Sequence, residues 1–190
     1  MDALAIQELN LLDVQEVLQY KGYSVRLLHE FGQKTPYMDY GKIAELWESF
    51  RVHDVLFTDE IKGDLEAFID IMMNPRSVWL EIFSLESNTP IGVANLSRVI
   101  PGFDASGHFA YWTGSSRVRE DLIKIVMKWV FDRYKLHRIS AEVPEYQKGV
   151  IRFINRIGFK KEGTRREGTI RHGSWRDLDM FGILSSELEL

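Results

Sequence analysis

The stretch from Tyr111 to Val143, YWTGSSRVREDLIKIVMKWVFDRYKLHRISAEV, constrains the fold more than any other part of the chain. It reads as an apolar strand, a tight connection, an amphipathic helix and a second strand. The helical stripe is carried by Leu122, Ile125, Val126, Trp129 and Val130, three or four residues apart. Such a crossover belongs to an α/β sheet, and it commonly presents the start of its helix to a phosphate. Here the connection holds a single, early glycine, Gly114, and two arginines, Arg117 and Arg119.

The rest of the chain supplies partners for this unit. Residues 4–20 place Leu4, Leu9, Leu12, Val14, Val17 and Leu18 on an imperfect helical stripe closed by Gly22, so a helix is expected there. YSVRLLHEF follows as a strand. MDYGKIAELWESF and DEIKGDLEAFIDIMMN read as helices, the first with Ile43, Leu46, Trp47 and Phe50 on one face. SVWLEIFSLES and PIGVANLSRVI form a hairpin across Asn88, Thr89 and Pro90, and GHFAYWTG is a further strand. After the crossover come a helix, QKGVIRFINRIG, and a closing hairpin, FKKEGTRREG with SWRDLDMFGIL. The order predicts an α/β fold with a mixed central sheet flanked by helices. No linker or repeat divides the 190 residues, so one domain over 1–190 is expected.

Lys and Arg total 24 against 28 for Asp and Glu, and the net charge of −4 makes nucleic acid an unlikely partner. No segment approaches the 18 or so apolar residues of a membrane span. MDALAIQELN lacks the basic start and apolar run of a signal peptide, which gives a cytoplasmic or other intracellular setting as the expectation. Without cysteine there is no disulfide or thiolate nucleophile. His29, His53, His108, His137 and His172 show no metal-ligand spacing, so no metal is expected.

The phrases PIGVANLSRV, FAYWTG, LHRISAEV, FINRIGFKKEGTRREG and SWRDLDMFGIL, in that order, resemble the GNAT superfamily of acetyl-CoA-dependent N-acetyltransferases, in its RimJ/RimL-like branch. The resemblance runs from about residue 24 to 184 and leaves residues 1–20 outside as an expected helical extension. It implies the GNAT fold, acetyl-CoA as cofactor, and a Gly-rich loop whose backbone N–H groups grip the pyrophosphate. In this chain the matching stretch is GSSRVRED, without the Q/R-x-x-G-x-G/A pattern and about four residues short. Losing two or three charged hydrogen bonds at about 1.5 to 3 kcal/mol each moves a micromolar ligand toward the millimolar range.

If the cofactor binds, Ser115, Ser116, Arg117, Arg119 and Gln147 are the residues expected to hold it, with the two guanidinium groups as a side-chain clamp. Glu120 and Asp121, in the first helical turn, are expected to repel a pyrophosphate. Gln147 and Val150 stand where the branch has the Asn and Ser of an N-x-x-S element, and Ile154 stands where other branches have a tyrosine. Candidate bases are His108, on the strand before the loop, and Glu142, on the strand after the helix. Arg165, Arg166, Arg171, His172 and Arg176 make a basic hairpin, read as a solvated tip.

Separate losses at the loop and at Val150 and Ile154 lead to the expectation of a GNAT-fold binding or structural subunit that has lost acetyl-CoA chemistry and needs no cofactor. Its partners are expected to be proteins or further copies of itself, as in a phage virion. The alternative is an active N-acetyltransferase for a primary amine, a protein N-terminus or a small amine.

Overall fold

The computed structural model describes residues 15–32, 40–53, 64–112 and 116–190. Within them the strands are β1 (Gln15–Tyr20), β2 (Tyr23–His29), β3 (Val78–Ser84), β4 (Thr89–Ile100), β5 (Asp104–Tyr111), β6 (Arg138–Pro144), β7 (Lys160–Arg171) and β8 (Ser174–Leu184). The helices are α1 (Tyr40–His53), α2 (Leu65–Met72), α3 (Ser116–Tyr134) and α4 (Lys148–Arg156). All eight strands join one sheet in the order β1-β2-β3-β4-β5-β6-β8-β7. Only the β5–β6 pair, linked by the crossover through α3, is parallel.

The helix expected over residues 4–20 is corrected. Residues 15–20 are β1, paired antiparallel with β2, and residues 4–14 lie outside the described residues. Lys21 (φ 45°) and Gly22 (φ 80°) both take left-handed backbone, as a two-residue hairpin turn requires. Gly22 therefore ends a strand, where it had been read as closing a helix. The β3–β4 turn also sits earlier than expected, at Leu85–Asn88, and Thr89 and Pro90 already belong to β4.

Two apolar cores cover the two faces of the sheet. On one face, Leu122, Val126, Val130 and Phe131 of α3 meet Leu80, Ala94, Ile139 and Phe181 of the strands. On the other, Ile43, Leu46, Trp47 and Phe50 of α1 and Phe68 and Met72 of α2 pack on Leu28, Trp79, Val93 and Ala110. The Phe68 ring lies 5.3 Å from Trp47 and 5.5 Å from Phe50, in the edge and tilted geometries aromatic pairs favour. α2 starts at a capped end: the Asp64 carboxylate accepts a hydrogen bond from the Ala67 amide at 3.0 Å.

One charge is sealed into this second face. Glu81 of β3 is 1% exposed. It pairs with Lys42 of α1, and Arg26 of β2 lies 3.8 Å away. A carboxylate so deeply buried stays charged only with such partners.

Candidate active site at the split of the sheet

The parallel ladder between β5 and β6 has three rungs, Asp104↔Arg138, Ala105↔Ile139 and Ser106↔Ser140, and then stops. Both strands continue. β5 stays paired with β4 as far as Tyr111↔Gly92, and β6 with β8 as far as Pro144↔Leu178. The two strands therefore diverge into a wedge with Gly107–Tyr111 as one lip and 141–144 as the other. About half the backbone N–H and C=O groups of each lip face the gap, ready to bond an extended chain carrying amides. Gly107 sits at the apex, where a Cβ would come 2.9 Å from Ile139 Cγ2, so any larger residue would force the strands to move.

Strand alternation sorts the side chains of the lips. Ala105, Phe109 and Tyr111 belong to the α3 core, and Phe109 stacks 4.9 Å from Phe153 of α4 beneath the gap. Ser106, His108 and Ala110 point to the opposite face. On β6, Ile139, Ala141 and Val143 are in the α3 core, which turns Ser140 and Glu142 to the His108 side. The two candidate bases therefore stand on opposite lips of one wedge, on one face. Their separation in the chain had given no sign of this.

Burial holds the His108 pKa below the ordinary histidine value. The charge of Arg98 pushes in the same direction and that of Glu142 partly offsets both. The imidazole is accordingly unprotonated at neutral pH. Its Nε2 lies 3.5 Å from Ser97 Oγ. Glu142 is gripped by Arg165 through a forked pair, Nη2–Oε1 2.9 Å and Nη1–Oε2 3.3 Å. Arg165, expected at a solvated hairpin tip, is thus the charge partner of a site residue. A carboxylate flanked by apolar strand positions was the available signal, since such a group needs a cation near it.

At the start of α3, Ser116 is the first helical residue, and Ser115 and the side chains of Ser116 and Arg117 lie outside the described residues. The expected loss of the glycine cradle falls on 113–115 and lies outside them too. Arg119 is half-buried, its guanidinium 5.4 Å from the Tyr111 ring centroid, and its buried Nε has no hydrogen-bond partner among the described residues. The Tyr111 hydroxyl donates to the Arg119 carbonyl at 3.5 Å, and burial pushes its pKa up strongly.

The repulsion expected from the first helical turn is corrected: the helix begins at Ser116, and its first turn holds no acid. Glu120 is paired with Arg156 of α4 at 2.7 Å. Asp121 accepts hydrogen bonds from Tyr20 at 2.9 Å and Lys21 at 3.2 Å, which hold its carboxyl below the usual range. Both acids are tied to neighbouring elements, and the helix start keeps an arginine without an ion-pair partner among the described residues. An anion arriving there meets the positive end of the helix with its acids already neutralised.

Gln147 occupies the N-cap position of α4 without a side-chain capping bond, close to the end of the β6 lip. Val150 packs against the α3 core and Ile154 is 1% exposed, so neither offers a proton. Trp112 does not fill the wedge. Its Nε1 donates to Pro90 O at 3.0 Å and its ring meets Phe50 edge-on in the α1 core. Among the described residues no helix is long and apolar enough to cross a membrane.

No protein-family model matches the chain. It is similar to a probable N-acetyltransferase, YjcK, of Bacillus subtilis (strain 168), 28% identical over 112 residues, or 57% of this chain and 62% of that protein. It thus spans a little under two thirds of that relative. It is also similar to the ribosomal protein uS5-alanine N-acetyltransferase of Escherichia coli (strain K12), 24% identical over 80% of this chain and 82% of that protein. Among solved structures, spermidine N-acetyltransferase from Vibrio cholerae in complex with CoA and spermine superposes with a TM-score of 0.66 at 14% identity. That alignment covers 87% of this chain and 97% of the other.

Proposed function

From the premise that this chain has the GNAT fold and counts N-acetyltransferases among its relatives, we propose that it is an acetyl-CoA-dependent N-acetyltransferase acting on a primary amine. The observation that carries this reading is the wedge itself. β5 and β6 part after Ser106 and Ser140, with an unprotonated histidine on one lip and a carboxylate on the other. The residues fit the cofactor: a helix start whose acids are paired, an Arg119 without an ion-pair partner among the described residues, and two strand edges that do not pair with each other beyond Ser106 and Ser140.

Bound acetyl-CoA would supply an acetyl group activated as a thioester. Arg117 and Arg119 would hold the anionic pyrophosphate, and Ser115, Ser116 and Gln147 would supply neutral donors. The lip backbone orients the extended arm as a further strand would be oriented. His108 would take the proton of the incoming ammonium, leaving the free amine to attack the thioester carbonyl carbon; as the C–N bond forms and the C–S bond breaks, the second proton shed by the nitrogen would go to water or to the departed thiolate. Glu142 faces the imidazolium that results and stabilises it by charge. Val150 and Ile154 supply no acid for the leaving sulfur. A thiol pKa of about 8.5 lets it depart as the thiolate.

Titration calorimetry with acetyl-CoA tests the proposal. Binding in the micromolar range is expected, weakened about 10- to 150-fold in Arg119→Ala, the worth of one charged hydrogen bond. Absence of heat at millimolar cofactor would sink it. That result would favour a second reading, a GNAT-fold binding or assembly module with protein partners. It rests on one observation, the hydrocarbon at Val150 and Ile154.

A further inference from the structure

An apolar cavity of about 40 Å³ opens beside the wedge. Its lining includes Gly107, His108 and Phe109, three consecutive residues of β5. Gly107 and Phe109 of the β5 lip and Ala141 of the β6 lip lie beyond the last rung, Ser106↔Ser140, so a space lined by all three spans the gap at its apex. Ile139 and Ala141 close it from the β6 lip. From there it runs beneath α3, under Met127 and Val130, over Ala94 of β4 to Leu80 of β3. Leu80 stands two strands from β5, about 10 Å away.

An acetyl group, ending one bond beyond its carbonyl, has no use for that space. A water-sized group needs at least about 10 to 15 Å³ by this measure, so 40 Å³ admits about three groups of methylene size. Three small residues, Ala94, Gly107 and Ala141, make the room, and the lining is hydrocarbon nearly throughout. Resting on the proposed function of the wedge, we infer that this cavity is an acyl-chain subsite, and that the chain takes CoA thioesters of short linear acyl groups, about four carbons long, in preference to acetyl. The thioester carbonyl stays between the lips, facing His108, while the hydrocarbon tail enters under α3. Ala94 and Met127 are the specificity-determining residues, setting the width and depth of the subsite.

The experiment is titration calorimetry of the wild-type chain with acetyl-, propionyl- and butyryl-CoA. Each methylene taken from water into hydrocarbon is worth about fourfold, so butyryl-CoA is expected to bind about 15-fold more tightly than acetyl-CoA. Ala94→Val, which fills the subsite, is expected to reduce the butyryl-to-acetyl ratio to near one. Met127→Ala, which deepens it, is expected to carry the preference on to hexanoyl-CoA. Affinity that is flat or falls with chain length, with acetyl-CoA still bound, overturns the subsite alone. Failure of every thioester to bind overturns the proposed function together with it. The wild-type series decides the matter even if a variant does not fold.

Discussion

On the β5 side of the split, helices cover both faces of the sheet and a carboxylate is sealed beneath one of them. On the β6 side, no residue of β6, β7 or β8 joins the α1–α2 core among the described residues, and that face carries ion pairs. The pairs are chemically alike and energetically unlike. Lys42–Glu81 is buried, with Glu81 1% exposed. Arg165–Glu142 and Arg138–Glu162 are half in solvent, at 2.9 Å and 2.7 Å in their well-formed contacts. A buried pair cannot lose one member cheaply, because the other charge stays out of water, whereas a solvated pair hands its charge back to water. Removing a charge partner is therefore costly on the β5 side and cheap on the β6 side.

The sharpest break of this comparison is kinetic. Replacing the base on the β5 lip, His108→Gln, is expected to lower turnover about 10²- to 10⁴-fold and to abolish the acid limb of the pH–rate profile. In the wild type that limb lies below the ordinary histidine pKa of 6.5, since burial depresses His108. Glu142→Gln, on the β6 lip, removes the charge that partly restores the His108 pKa. It is expected to retain most of the rate and to move the limb to still lower pH. Equal losses in the two variants would end the distinction between the lips.

Stability gives the next contrast. Lys42→Met leaves Glu81 to Arg26, 3.8 Å away, and is expected to cost up to about 3 to 5 kcal/mol in urea unfolding. Arg165→Met is expected to cost about 0.2 to 1 kcal/mol, screened further by salt. Similar costs would mean that the two faces are solvated alike.

The smallest effect is a pH dependence confined to the β5 side. His29 is fully buried, with Nε2 on Asn74 O at 3.1 Å, and burial lowers its pKa. A depressed histidine contributes stability above its unfolded pKa, about 6.5, and that contribution is lost as pH falls through the folded value. Unfolding midpoints are expected to drop below about pH 6.5, and His29→Gln is expected to reduce the drop, the remainder belonging to His108. An unchanged slope in the variant would assign the acid sensitivity elsewhere.

How much of this was legible depends on where each signal resides. α3 and the alternation of β6 followed from spacing alone, because burial on one face leaves a period in the sequence whatever the partner is. Val17 and Leu18 misled because a short apolar run with a glycine after it fits a helix end and a hairpin equally. Arg165 misled because a basic cluster carries no mark of which arginine meets an acid on another strand.

By itself, then, the sequence determined the elements other than β1, their order, the mixed sheet and His108 and Glu142 as separate candidates, since each of these rests on local periodicity or residue chemistry. Only the tertiary structure decided that β5 and β6 part after three rungs, that the two candidates share one face of the gap, and that Glu120 and Asp121 are neutralised. Those facts depend on strand twist and on side chains from distant segments meeting in space, and no local pattern encodes either.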